Sequence, residues 1–305
     1  MNARPLLAAA ALAATLAAPP AAAQAPAFDP PAGGLADLAG PRALALGGGA
    51  GVASGNDGIF VNPGATAARK RYSVEGLFAA DRRGGADAGK YVGATVVDAL
   101  SSPVAASFAW VHPLEGFQGG NLFVVGLAGP VADRAWLGVQ GRYLSVREED
   151  AAGAVTRVNA VTADAGLYWE VSSLLSVGVA GFNLVPTGHE RSAPRTLAAG
   201  LAVGSDTSLK LTADWRADFD RVRDAADRAS TTNRYGLGLE VFLGDMVPVR
   251  AGWQRDETLD TSWWSAGAGL VAPNGVALDV GFRQSLTKPD AREVVVALKL
   301  QGLEM

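Results

Sequence analysis

An all-β fold, a transmembrane antiparallel β-barrel of about fourteen strands with an N-terminal plug in its lumen, is the class this sequence predicts. Three observations predict it. From Arg71 onward, segments of about ten residues alternate apolar and polar side chains, each bounded by Gly, Pro, Asp, Asn or Ser. The connections between them alternate in length, as short periplasmic turns and longer outer loops do in outer-membrane barrels. The chain also opens on a secretory pattern: Arg4, an apolar run over residues 6–18, and Ala21-Ala22-Ala23 before Gln24.

Each element follows in order. Residues 1–23 read as a signal peptide cleaved after Ala23, because Pro19-Pro20 interrupts the run where a spanning helix would need roughly 20 apolar residues. Residues 24–70 are rich in Gly, Ala and Pro, carry few charges and are too long for a hairpin. A segment of this size at the periplasmic end of a barrel can fold back into the lumen as a plug or hatch. Residues 71–305 form the barrel, with strands expected at 71–80, 89–98, 103–111, 121–129, 135–146, 158–171, 174–183, 195–204, 207–216, 233–243, 247–254, 262–271, 275–284 and 292–301. In the tenth, Tyr235, Leu237, Leu239 and Val241 share one face and Arg234, Gly236, Gly238 and Glu240 the other. A soluble sheet with one wet face would give the same alternation strand by strand, but it has no reason to sort its loops by parity.

Composition removes several functional classes. With 26 Lys+Arg against 30 Asp+Glu, the balance is slightly acidic and no nucleic-acid partner is expected. Cysteine is absent, so there is no disulfide framework, thiol nucleophile or thiolate metal site. The two histidines, His112 and His189, fall in expected outer loops, distant from each other in sequence, and imply neither a metal centre nor an enzyme. Residues 84–91 approach a phosphate loop, but Tyr91 stands where a magnesium-binding hydroxyl is required and a strand follows. No cofactor is expected. Residues 216–228 alternate Asp and Arg across Ala and Val, which reads as a wet loop, a short helix or an outer cap.

The stretch Pro41-Arg42-Ala43-Leu44-Ala45-Leu46-Gly47-Gly48-Gly49-Ala50-Gly51-Val52-Ala53, followed by Asn56-Asp57-Gly58-Ile59-Phe60-Val61-Asn62-Pro63-Gly64, resembles the N-terminal motif of FadL-type outer-membrane barrels. That superfamily includes the long-chain fatty-acid transporters and the related type IX secretion shuttle barrels. The alanine of the motif's closing Asn-Pro-Ala-Gly is missing here. Gly181-Phe182-Asn183-Leu184 and Val249-Arg250-Ala251-Gly252-Trp253 look like strand landmarks of the same superfamily. The resemblance implies fourteen strands, a lumen plug held to the wall by Arg42, Asp57 and Asn62, and passage of hydrophobic compounds when the plug shifts. As residues alone, these three equally suit caps in a Gly-rich loop.

Taking the polar face of each strand as inward places Glu75, Gln140, Arg142, Asp164, Lys210, Asp214, Arg216, Glu240, Arg250, Asp279, Arg283, Glu293 and Lys299 in the lumen. Nearly balanced charges of this kind pair across a narrow space or against a plug. Arg142, Asp164, Asp214, Arg250 and Asp279 join Arg42, Asp57 and Asn62 as the candidate ligand- or plug-binding residues. The expectation is an outer-membrane channel for small hydrophobic or amphipathic compounds, gated by the plug, with membrane lipid and a hydrophobic ligand as partners. The polar lumen also suits an alternative, a non-transporting scaffold or secretion-associated protein with an envelope protein as partner.

Overall fold

The computed structural model describes residues 37–50, 55–82, 89–115, 120–149, 155–190, 192–223, 228–244 and 246–303. The expected signal peptide, residues 24–36 of the N-terminal segment and residues 84–88 of the near phosphate loop lie outside them.

The strands are β1 (Arg71–Asp81), β2 (Gly89–Asp98), β3 (Ala105–Glu115), β4 (Asn121–Ala132), β5 (Ala135–Glu149), β6 (Val155–Glu170) and β7 (Leu175–Phe182). They continue as β8 (Thr196–Gly204), β9 (Leu209–Arg223), β10 (Ala229–Leu243), β11 (Val247–Asp256), β12 (Thr261–Val271), β13 (Val276–Ser285) and β14 (Arg292–Leu303). Each pairs antiparallel with its sequence neighbours. β1 closes the ring on β14, from Arg71 opposite Leu303 to Asp81 opposite Glu293. Closure leaves no sheet edge, so backbone N–H and C=O groups are paired without water, the condition for crossing a membrane in strands.

The period-two pattern then sorts side chains by face. Val125, Leu137, Val161, Leu237 and Leu270 are exposed on the outer face. Glu75, Asp164, Glu240 and Glu293 are each 1% exposed on the inner one. Toward the long-connection ends, Trp110 pairs with Phe123 and Phe123 with Tyr143 across β3–β5, and Trp253 pairs with Trp264 across β11–β12. Such rows match the aromatic girdle that barrels place at a membrane interface.

The strand ends differ from expectation on the long-connection side. β5 runs to Glu149, β6 starts at Val155, and the expected loop over 217–232 is mostly strand. Residues up to Arg223 extend β9 in place of a helix or cap. Between Asp218 opposite Thr232 and Val222 opposite Ser230, three residues of β9 face one of β10. This bulge lets Asp218, Asp220 and Arg221 all be buried, so charges that read as a wet surface have partners inside. His112, expected in a loop, lies in β3, its Nδ1 2.9 Å from the Gly120 carbonyl oxygen. Pro113 beside it sits at a register shift, where its missing N–H breaks no regular ladder bond.

The lipid-facing assignment has a direct check. Val125→Arg, near the middle of β4, is expected to cost about 2–4 kcal/mol, and Leu184→Arg, in the outer connection after β7, at most about 1 kcal/mol. Urea titration of the barrel folded in lipid vesicles measures both, and equal costs would refute the placement.

Candidate functional site

The described part of the segment before β1 lies against the inner wall, and its local structure follows from its sequence. Pro41 supplies the fixed φ favoured at a helix start, and a single helical stretch, Pro41–Ala45, forms with Leu44 N–H donating to Gly40 O at 3.0 Å. Gly47, at φ +71°, ends it in a left-handed conformation that costs glycine little. A second short helix, Gly58–Val61, leads to Asn62, whose Oδ1 caps the turn Pro63–Ala67 by accepting from Gly64 N–H at 3.1 Å. The Asn62 Nδ2 donates to Ala50 O at 3.1 Å and to Leu167 O of β6 at 3.0 Å. Asn62 thus both caps its turn and ties it to the wall.

The wall meets this segment with glycines. A Cβ on Gly236 would stand 2.0 Å from Gly47 O, on Gly238 2.5 Å from Leu46 O, on Gly252 2.7 Å from Ala45 O and on Gly281 2.3 Å from Pro41 O. On the opposite side of the ring, Gly138 and Gly166 face Asn62 and Pro63, and Gly178 faces Ala50 O at 1.8 Å. The glycines pair across strands, Gly238 with Gly252 and Gly138 with Gly166, so two backbone-wide tracks run along the inner face. No side chain larger than hydrogen fits there while the segment keeps its place.

Charges join the same surfaces. Arg42 Nε and Nη2 donate to Glu240 Oε2 and Oε1 at 2.9 and 2.6 Å. Glu240 Oε2 also accepts from Arg250 Nε at 2.6 Å, and Arg250 Nη1 donates to Asp279 Oδ1 at 2.7 Å. Lys299 Nζ continues the chain to Asp279 at 3.2 Å and Glu75 at 3.1 Å, and lies 3.8 Å from Asp57. Asp57 packs over Gly40, where a Cβ would fall 1.6 Å from its Oδ1. Arg42, Asp57, Arg250 and Asp279 therefore belong to one ion-pair chain, linked through Glu240 and Lys299.

The other candidates stand elsewhere on the wall. Arg142 Nη2 pairs with Asp164 Oδ2 at 2.8 Å, strand to strand, and Gln140 Nε2 bridges that oxygen to Ile59 O at 2.6 and 3.0 Å. Asp214 Oδ1 accepts from Ala50 N–H at 2.8 Å. Asp214 meets the segment's backbone directly and the Arg142–Asp164 pair meets it through Gln140, in neither case through the segment's charges.

A further cluster was not singled out by sequence reasoning. Asp37 accepts from Arg221 Nη2 at 2.9 Å and Arg234 Nη1 at 3.0 Å, with Arg216 Nη2 at 3.4 Å. Asp218 and Asp256 balance these arginines: Asp218 accepts from Arg234 Nη2 at 3.0 Å and Arg216 Nε at 3.1 Å, and Asp256 lies 3.2 Å from Arg234 Nε. Beside them lies a cavity of about 90 Å³ whose lining includes Leu44, Phe60, Val61, Phe182 and Ala198. The same lining includes Asp37, Asp214, Arg216, Arg234, Gln254 and Arg283. Strand alternation placed Arg216 and Arg234 on the inner face and the Asp/Arg run marked Arg221, but Asp37 lies 184 residues before Arg221 and carried no such signal. Among the described residues, no group of three or more His, Asp or Glu side chains is placed to hold a metal.

No family model matches the sequence, and no curated protein does. Solved structures match in fold. The Ralstonia pickettii toluene transporter TbuX aligns at a TM-score of 0.63 with 14% identity, over 89% of this chain and 100% of that one. The CymD monoaromatic hydrocarbon channel aligns at 0.59 with 14% identity, over 86% and 96%. The Pseudomonas putida toluene transporter TodX aligns at 0.55 with 11% identity, over 87% and 97%. This chain shares their closed β-barrel fold.

At the short-turn end of the barrel, Arg69 bridges Glu170 and Asp206, and Asp206 also pairs with Lys210. Burial pushes the Asp206 carboxyl up, but Lys210, Arg42 and Arg69 outweigh it and hold it well below the ordinary carboxylate value. Its contribution is therefore complete above the unfolded value of about 3.9 and is lost only as pH falls through the lower folded value. Protease sensitivity of residues 37–70 should stay constant from about pH 7 to pH 5. A release centred in that window would contradict the pairing.

The glycine tracks make a second prediction. The pair Gly236→Ala and Gly238→Ala should leave the barrel folded, because strands tolerate alanine, yet unseat the segment and raise its proteolysis by about tenfold or more. Gly141→Ala, which has nothing within 4 Å, is the control. Equal protection in both would refute the close approach.

Proposed function

We propose that this barrel is a passive outer-membrane channel for small hydrophobic or amphipathic compounds, and that residues 37–70 are its plug. The observation that carries this reading is the seating of one chain segment on glycine tracks from opposite sides of a closed barrel, fastened by Arg42 to Glu240. A segment so placed obstructs the lumen, and passage requires it to shift. The cavity beside it supports the reading. An apolar cavity of roughly 150 Å³ accepts benzene, so the space of about 90 Å³ here admits a single ring only when the segment gives way. TbuX, TodX and CymD, named for toluene and monoaromatic hydrocarbons, supply the substrate class by likeness of fold.

Deletion of residues 25–70 is expected to raise the flux of toluene into liposomes by about tenfold or more, with folding checked by the heat-dependent gel shift of the barrel. A folded deletion variant that stays closed would sink the gating role. The ion-paired lumen favours a second reading, an envelope scaffold. Copurification of a stoichiometric envelope protein, with no hydrocarbon flux in either form, would support that reading instead.

A further inference from the structure

The geometry points to Asp37 as a built-in stand-in for a small carboxylate ligand: Arg216, Arg221 and Arg234 form an anion cradle that an aromatic or short aliphatic acid enters by displacing the Asp37 side chain, which releases the plug. This deepens the channel reading above and rests on it.

Two features carry it. First, the cradle is built from the wall and its occupant is not. Arg216 and Arg221 belong to β9 and Arg234 to β10, whereas Asp37 comes from the segment, and Asp37, Arg221 and Arg234 are each buried at 8% exposure or less. The two hydrogen bonds from the Arg221 guanidinium to both Asp37 oxygens are a bidentate carboxylate contact. With Asp37 present, the three guanidinium groups are in ion-pair contact with the carboxylates of Asp37, Asp218 and Asp256, and Asp214 lines the adjoining cavity. If Asp37 withdraws with the segment, Arg221 is left with Asp218 alone and Arg234 with Asp218 and Asp256, short of one carboxylate that another anion can supply. A neutral hydrocarbon cannot supply it.

Second, the cavity opens onto this cradle. Asp37, Arg216 and Arg234 line it together with Phe60 and Phe182. A carboxylate seated where Asp37 now lies would therefore place an attached ring or short chain beside the apolar residues of this lining. Asp214 on the same lining opposes an incoming anion, and the Ala50 N–H that its Oδ1 accepts belongs to the segment.

The test uses benzoate and toluene, which share a ring and differ in charge, on the full-length barrel. With wild-type protein, millimolar benzoate should accelerate proteolysis of residues 37–70 while toluene at equal activity does not. In Asp37→Asn, benzoate should bind about tenfold more tightly than in wild type, with toluene unchanged, because the competing carboxylate is gone. Adding Arg234→Gln to that variant should restore the wild-type benzoate affinity or weaken it further. Equal gains for benzoate and toluene would mean that Asp37→Asn merely loosens packing, and would overturn the proposal. No benzoate effect in either protein would overturn it too. Toluene flux through the 25–70 deletion is read separately, so the carboxylate site can fail while the channel stands, and the reverse.

Discussion

Closing β1 onto β14 satisfies the backbone, but it also commits every second side chain to an interior from which bulk water is largely displaced. A charge placed there must be neutralised within a few ångströms, since an isolated one costs several kcal/mol. The strands alone do not complete this balance. Glu240 meets Arg250 from its own wall but gains its second guanidinium from Arg42, and the arginines of β9 and β10 gain a third carboxylate from Asp37. Wall and segment are thus one electrostatic system, and neither is at its lowest energy without the other.

Arginine recurs at these junctions for a geometric reason. Arg42 engages both oxygens of Glu240, Arg221 both oxygens of Asp37, and Arg234 touches Asp37, Asp218 and Asp256 with different nitrogens. Lysine offers a point charge and could join several carboxylates, as Lys299 does, but it would not fix their relative orientation. The arginine contacts set the segment's position along the wall, while the glycines set how close it comes.

Much of the barrel was legible because its signal is local. Tyr235, Leu237 and Leu239 face lipid in alternation with Arg234, Gly236, Gly238 and Glu240, which is a property of neighbouring residues. The site was less so. Arg142 and Asp164 sit on the face that alternation assigns, yet nothing in their spacing says that Gln140 relays them to Ile59. The stretch before Arg228 was misread because burial of Asp218 and Arg221 depends on a bulge and on Asp37, a contact no local window contains. Gly236 and Gly238 read as small residues on a polar face, and Gly252 as part of a strand landmark. Their purpose emerges only when the backbone of residues 41–48 is laid against them.

Those glycine tracks also bear on the order of assembly. One is contributed by β5–β7 and the other by β10–β13, so the complete seat does not exist until most of the C-terminal strands have formed. The segment is made first but can dock in full only last, after contacts of very large sequence separation are in place. Until then its apolar and charged groups must be kept from other partners, and a sequence poor in β-branched residues and rich in Gly and Ala has little tendency to pair with an unfinished strand edge. The low side-chain content that allows the final fit thus also keeps the earliest part of the chain inert while the wall is built.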